Sequence, residues 1–172
     1  MYMRQRVKIG FIVLILFTVV LLGYKTISKF QFLQRVALNT VTIPQFTFET
    51  LQRQNFGKQN IKDSLGNVII MLFSPDCDHC QYMAHSLVKN NEKIKKIQFL
   101  MVTPFADGAL VNRFGQTYGL NALPNVQLLI DTKGDFPKIF GTAIVPSFYV
   151  YKGNKLIKSI KGETKIQNLL TD

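Results

Sequence analysis

The feature that most constrains this chain is a pair of cysteines placed directly after a short apolar run. The run is NVIIMLF, residues 67–73, and the segment that follows it is SPDCDHC, which contains Cys77 and Cys80. A continuous apolar run of this length is typical of a strand that is covered on both faces of a sheet. Residues 81–93 then show helical spacing of their apolar side chains. The sequence therefore predicts a buried strand, a cysteine motif and a helix in immediate succession.

Three kinds of site are compatible with these two cysteines, which are the only ones in the chain. A closed structural zinc site usually needs four ligands, so it would have to recruit both cysteines and both histidines, His79 and His85. A static disulfide across two intervening residues would stabilise the fold little, because it closes a very short loop. The third kind is a redox-active pair, and only this interpretation makes use of the position at the start of a helix.

In the redox interpretation Cys77 is the exposed nucleophile, and Cys80 lies deeper and resolves the mixed disulfide. The first turn of a helix favours a thiolate, because its backbone N–H groups and its dipole attract negative charge. His79 is predicted to modulate the pair by stabilising the thiolate, whereas Asp78 would oppose it. Such a site needs no cofactor and no metal, since the two sulfur atoms carry the chemistry.

The rest of the chain alternates strand and helix patterns. The terminal segment 147–161 is predicted to be a hairpin, because Gly153-Asn154 separates two runs of strand-like residues. This alternation predicts an α/β fold in which a central mixed β-sheet is flanked by helices. The other predicted elements are an extended entry strand or hairpin at 43–51, strands at 97–102 and 126–131, helices at 107–120 and 136–140, and a short closing helix at 163–170.

The N-terminal segment 9–24, IGFIVLILFTVVLLGY, carries no charge and predicts one transmembrane helix that anchors the chain. The sequence after it lacks an Ala-x-Ala-like cleavage site, which favours an anchor over a cleaved signal. Three basic residues precede the span and three follow it, so charge does not set its orientation. The predicted organisation is a basic tail at 1–8, the anchor at 9–24, a juxtamembrane linker at 25–42 and a folded domain at 43–172.

Much of the net charge of +11 flanks this anchor, since residues 1–43 contain six Lys or Arg and no acid. The remaining lysine clusters lack the interleaved aromatic residues of a nucleic-acid surface. We therefore predict no nucleic-acid partner and interpret the lysines as a solvated basic face.

The cysteine motif and the segment IVPSFYVY, residues 144–151, together resemble the thioredoxin superfamily. The resemblance covers residues 43–172. Within the superfamily the chain is most similar to the membrane-anchored bacterial TlpA/ResA-like thiol–disulfide oxidoreductases. Their domains begin with an IPxFxF-like hairpin, matched at 43–48, and contain an FxxxCxxC segment, matched at 73–80.

This resemblance implies a thioredoxin-like fold and a redox-active Cys77–Cys80 disulfide. It also implies a cis-proline loop at Val145-Pro146 that packs against the disulfide, with Val145, Pro146 and Ser147 forming the groove for an extended substrate segment.

The implied activity is disulfide exchange with protein cysteines, in the direction of a reductase. A membrane redox partner would recycle the pair, and the catalytic domain would lie on the periplasmic side of a bacterial inner membrane. The chain departs from the family in having Asp76 in place of the tryptophan of WCxxC, and Met71 where thioredoxin has a buried acid. These departures keep an alternative open, namely a non-enzymatic protein-interaction module at the membrane.

Overall fold

A computed structural model of the chain describes residues 2–62 and 66–170. Residue 1 of the predicted tail lies outside the described residues. So do residues 63–65 and 171–172 of the predicted domain.

One helix, α1 (Tyr2–Thr40), runs through the predicted anchor and through most of the predicted linker at 25–42. The linker contains no proline, and the Thr26 hydroxyl donates a hydrogen bond to the carbonyl of Leu22 instead of interrupting the helix. From Gly10 onward, α1 is long and apolar enough to cross a membrane, judged by length and composition. The linker is therefore a continuation of the anchor helix.

Within the described residues, seven strands form one sheet in the order β2-β1-β5-β4-β3-β6-β7. The central strands β3, β4 and β5 are parallel, and β6 runs antiparallel beside β3, so the sheet is mixed, as predicted. The strands are β1 (Thr47–Thr50), β2 (Asn55–Gly57), β3 (Asn67–Leu72), β4 (Ile97–Thr103), β5 (Val126–Ile130), β6 (Ser147–Lys152) and β7 (Lys155–Lys161).

The predicted terminal hairpin is present, and the entry segment, predicted as a strand or hairpin at 43–51, forms a hairpin that extends to residue 57. β1 pairs with β2 in the entry segment, and β6 pairs with β7 around the turn at Gly153-Asn154. Gly153 has φ +57°, a left-handed conformation that favours glycine.

The helices lie between and beside these strands. The helix predicted at 81–93 begins earlier, so that Cys80 lies inside its first turn, and it ends at Lys89. The predicted closing helix is only a 3-10 turn at Ile166–Asn168. Ile166 and Leu169 are buried in the apolar core, and this packing holds the segment. The helices are α2 (Asp78–Lys89), α3 (Asn91–Ile94), α4 (Gly108–Thr117) and α5 (Phe136–Phe140).

Two apolar layers cover the two faces of the sheet, because alternate side chains of each strand point to opposite faces. The first layer packs α2 and α4 on the odd-numbered residues of β3, such as Ile69 and Met71. The second layer packs α5 and the entry segment on the even-numbered ones, such as Ile70. β3 is thus buried on both faces, as its unbroken apolar sequence predicts.

Candidate active site

Cys77 is the N-cap residue of α2, at the carboxyl edge of β3. Its backbone is extended, and its carbonyl accepts hydrogen bonds from the backbone N–H groups of Cys80 and Gln81, each at 2.9 Å. A turn led by Pro75 brings it there, with the Cys77 N–H donating to the Ser74 carbonyl at 3.2 Å. The side chain is half-buried. An N-cap position of this kind stabilises a negative charge on the side chain that occupies it.

Cys80 lies one turn further along α2 and is fully buried in the first apolar layer. Burial, with a smaller contribution from the neighbouring Cys77, raises the pKa of its thiol to about 12, and a hydrogen bond with the Ser74 backbone opposes the rise. Near neutral pH this side chain is therefore a protonated thiol. The two cysteines thus differ in the way predicted, one accessible and one deep. Both are free thiols here, so their disulfide remains a prediction.

The loop before β6 completes the site on the other side of Cys77. The peptide bond between Val145 and Pro146 is cis. The thiol of Cys77 lies 4.0 Å from the carbonyl oxygen of Val145, the limit for a weak S–H···O hydrogen bond. Ser147 is buried, and its hydroxyl donates to the Ile144 carbonyl at 2.6 Å, which ties the loop to the start of β6. The structure therefore brings Val145, Pro146 and the cysteine motif to one edge of the sheet.

The histidine of the motif is engaged by a residue that the sequence did not point to. Nδ1 of His79 lies 2.7 Å from Oε2 of Glu163, and both side chains are exposed. Glu163 follows β7, whose Lys161 pairs with Ser147 at the same sheet edge. The sequence predicts the hairpin at 147–161 but not the strand registers that bring residue 163 to the motif. The imidazole thus has a carboxylate as its partner, and the charge it carries when protonated is compensated there.

Ion binding is a separate question for a motif of Cys, His and Asp residues. Over the part of the chain that the structure describes, there is no group of three or more His, Cys, Asp or Glu side chains placed to hold a metal. Asp76 instead lines a shallow groove with Pro75, Arg113 and Tyr118 beside α4.

Exposed apolar side chains lie at the same sheet edge as Cys77. Ile144, directly before the cis-proline pair, is 55% exposed, and Phe105, just beyond the end of β4, is 40% exposed. Both follow from the chain reversing at this edge, where side chains have no further layer to pack on. A mixed polar and apolar rim suits an extended peptide segment.

Comparisons with known proteins agree with this geometry. Neither a family model nor a curated protein matches the chain. Several solved structures do. A secreted disulfide oxidoreductase from Mycobacterium tuberculosis, homologous to E. coli DsbE, is 21% identical with a TM-score of 0.59; the match covers 70% of this chain and 86% of that one. A thiol-disulfide oxidoreductase from Bacteroides fragilis is 13% identical with a TM-score of 0.60, covering 74% and 96%. A thioredoxin-like protein from Aeropyrum pernix is 17% identical with a TM-score of 0.59, covering 73% and 87%. At sequence identities this low, the structural match shows a shared fold and nothing further.

Proposed function

We propose that this chain, whose fold is thioredoxin-like as predicted, is a thiol–disulfide oxidoreductase that exchanges disulfides with protein cysteines through Cys77 and Cys80. The observation that carries the proposal is the asymmetry of the pair: an accessible thiol at a helix N-terminus and a buried, protonated thiol one turn away. The solved proteins of the same fold support it, since two of them are described as oxidoreductases of this class.

The reaction is written here in the direction of a reductase. The Cys77 thiolate attacks one sulfur of a substrate disulfide, forming a mixed disulfide, and the second substrate sulfur leaves as a thiolate that takes up a proton. Cys80 then loses its proton, and its thiolate attacks Sγ of Cys77. The Cys77–Cys80 disulfide forms and the first substrate sulfur leaves as a thiol. Two electrons pass from the protein to the substrate, and a membrane redox partner must return them.

Two features favour this direction. Strongly oxidising pairs owe their potential to a stabilised reduced form. Here burial disfavours a thiolate at Cys80, and Glu163 compensates the charge that His79 would otherwise offer to Cys77. Beyond the helix N-terminus at Cys77, the reduced form therefore gains no stabilisation from Cys80 or His79, which favours a reductase over an oxidant.

We propose that the apolar helix α1 holds this activity at a membrane. The apolar helix α1 would hold the domain on the extracytoplasmic face of a bacterial inner membrane, with one span at 9–24. The M. tuberculosis protein of the same fold is described as secreted, which supports an extracytoplasmic domain.

Two measurements on the full-length protein in detergent test the function. Equilibration with glutathione or dithiothreitol should show a reversible two-electron couple, near the thioredoxin value of about −270 mV for a reductase. Cys80→Ser should accumulate mixed disulfides with a model protein substrate, whereas Cys77→Ser should form none. If no reversible couple and no mixed disulfide appear, the enzyme is excluded and the membrane interaction module takes its place.

A further inference from the structure

The last turns of α1 are docked on the folded domain, although residues 10–35 of the helix are exposed. Val36 is 7% exposed and packs against the backbone of Gly141. A Cβ atom at position 141 would lie 2.9 Å from Cγ1 of Val36, so a larger residue would crowd this contact. Thr40 is also buried, and its carbonyl accepts a hydrogen bond from the Tyr151 hydroxyl at 3.3 Å. The anchor is thus joined to the domain by packing as well as by the chain.

These contacts give α1 a definite direction across the second face of the sheet. Its C-terminal end lies at the turn of the last hairpin, where the Leu156 N–H donates to the Val41 carbonyl at 2.8 Å. One groove then runs between α1 and the sheet. On the β7 side, the residues that line the groove extend from Leu156 to Lys161. On the α1 side, they extend from Thr40 to Leu33. Followed from Thr40 toward Leu33, the helix therefore runs from the hairpin turn toward the opposite edge of the sheet.

That opposite edge is the edge of the cysteine motif. Lys161 pairs with Ser147, and Ser147 pairs with Leu72, the last residue of β3 before the motif. Glu163, two residues beyond Lys161, contacts His79. The part of α1 that precedes Leu33 therefore leaves the domain on the side where Cys77 lies.

From this direction we infer that the docked anchor turns the Cys77 edge of the domain toward the membrane. The helix between Leu33 and Lys25, where the predicted span ends, measures about 12 Å at about 1.5 Å per residue. The Cys77 edge then lies a few helical turns of α1 from the bilayer surface. The inference rests on the proposed function and names its partner class: cysteines of integral membrane proteins that lie close to the bilayer surface.

The rim around Cys77 fits such a partner. Ile144 and Phe105 are exposed apolar side chains at this edge, and they would face the interfacial region instead of bulk water. Lys25 and Lys29 lie on the helix between the edge and the span, where basic residues interact favourably with anionic lipid headgroups. A cysteine segment that emerges from the bilayer would reach Cys77 without crossing the domain.

Fluorescence energy transfer to a headgroup acceptor tests the orientation in the full-length protein reconstituted into phospholipid vesicles. Two proteins with a single cysteine each are compared. In the first, Cys80→Ser, the donor fluorophore is attached to Cys77. In the second, the triple variant Cys77→Ser, Cys80→Ser, Lys96→Cys, it is attached at position 96. Lys96 is exposed and precedes β4, so it lies at the opposite edge of the sheet. We expect clearly higher transfer from Cys77 than from position 96. Equal transfer, or higher transfer from position 96, would overturn the inference.

Two substitutions on α1 provide the matched comparison. Val36→Glu places a charge in the docked contact and should remove the difference between the two donors. Leu38→Glu places the same charge on a side chain that is 75% exposed, and it should keep the difference. A Gly-Ser-Gly-Ser insertion between Ser28 and Lys29 should act like Val36→Glu by a different route. If the difference survives both Val36→Glu and the insertion, the docking of α1 does not set the orientation.

A kinetic arm separates the partner class from the function itself. A disulfide peptide is tethered to vesicle lipid by a short or a long hydrophilic spacer, and the same peptide is also supplied free in solution. We expect the short-tethered peptide to be reduced several-fold faster than the long-tethered one, with this ratio lost in Val36→Glu. Reduction of the free peptide without that ratio would refute the membrane-facing site alone. Failure to reduce any peptide, with the transfer difference intact, would refute the proposed function alone.

Discussion

Cys77 and Val145, 68 residues apart in the chain, meet at one edge of the sheet, with the thiol 4.0 Å from the carbonyl oxygen. The meeting follows from two strand ends: β3 ends just before the cysteine motif, and β6, which pairs antiparallel with it, begins just after the cis-proline pair. The thiol at this junction is half-buried, whereas the thiol of Cys80 is enclosed.

This difference predicts the alkylation pattern of the reduced protein. Iodoacetamide near pH 8 should modify Cys77 alone, because Cys80 is buried and its pKa is raised to about 12 by that burial. Peptide mass spectrometry measures the modification at each cysteine. In Cys77→Ser, labelling of Cys80 should be at least tenfold slower than labelling of Cys77 in Cys80→Ser, and it should become fast only in denaturant. Similar rates in the two folded variants would contradict the assigned roles.

The contact of Glu163 with His79 predicts a modest effect on the reactivity of Cys77. Glu163→Gln removes the carboxylate that pairs with the His79 imidazole at 2.7 Å, so the imidazole becomes free to interact with a thiolate at Cys77. The rate of alkylation of Cys77 should rise by about two- to fivefold, the size of effect expected for an exposed ion pair.

The matched control for this change is Glu92→Gln, which removes a carboxylate from a surface pair with Lys95 away from the motif. It should leave the rate unchanged. In a His79→Gln background, Glu163→Gln should also have no effect. An effect of the same size in that background would mean that Glu163 does not act through His79.

Stability of the reduced protein should fall at alkaline pH. The folded state raises the pKa of Cys80 above its ordinary value of 9.0, so it holds the proton more tightly than the unfolded chain does. The stabilisation is complete below about pH 9 and is lost as the pH rises toward 12. Thermal unfolding from pH 8 to 11 measures it. Cys80→Ala should show a shallower decline, although burial also raises the pKa of Tyr149 to about 12 in both proteins. Parallel declines would show that Cys80 does not contribute.

Asp131 is predicted to hold α5 in place under the anchor helix. Its carboxylate is buried and accepts hydrogen bonds from the backbone N–H groups of Asp135, at 2.9 Å, and Phe136, at 2.8 Å. Asp131→Ala leaves both donors without this partner, and it should lower the free energy of unfolding by about 1–3 kcal/mol. Chemical denaturation measures the change.

Asp135→Ala is the control for this substitution, because that carboxylate pairs with Lys138 at the surface. It should cost less than about 1 kcal/mol, as exposed pairs do. Equal losses for the two variants would show that the buried hydrogen bonds of Asp131 are not important for stability.

Much of the fold could be read from the sequence because local patterns agree with the tertiary result. The unbroken apolar run of β3 predicts a strand covered on both faces, and both layers are present. Gly153-Asn154 predicts the last hairpin, and the motif at the start of a helix predicts which cysteine is exposed. Each of these inferences uses residues within one or two elements, where periodicity and turn chemistry suffice.

Other features depended on distant parts of the chain. The proximity of Glu163 to His79 depends on the register of β7 against β6 and of β6 against β3, which no local pattern specifies. The predicted linker reads as an ordinary juxtamembrane segment, yet Val36 is buried because Gly141 leaves space for it. By itself the sequence determined the succession of strands and helices along the chain, the cysteine at the start of a helix and an apolar helix long enough to span a membrane. These features follow from local periodicity. Only the tertiary structure decided which sheet edge that helix leaves from, because direction arises from packing between elements that are far apart in sequence.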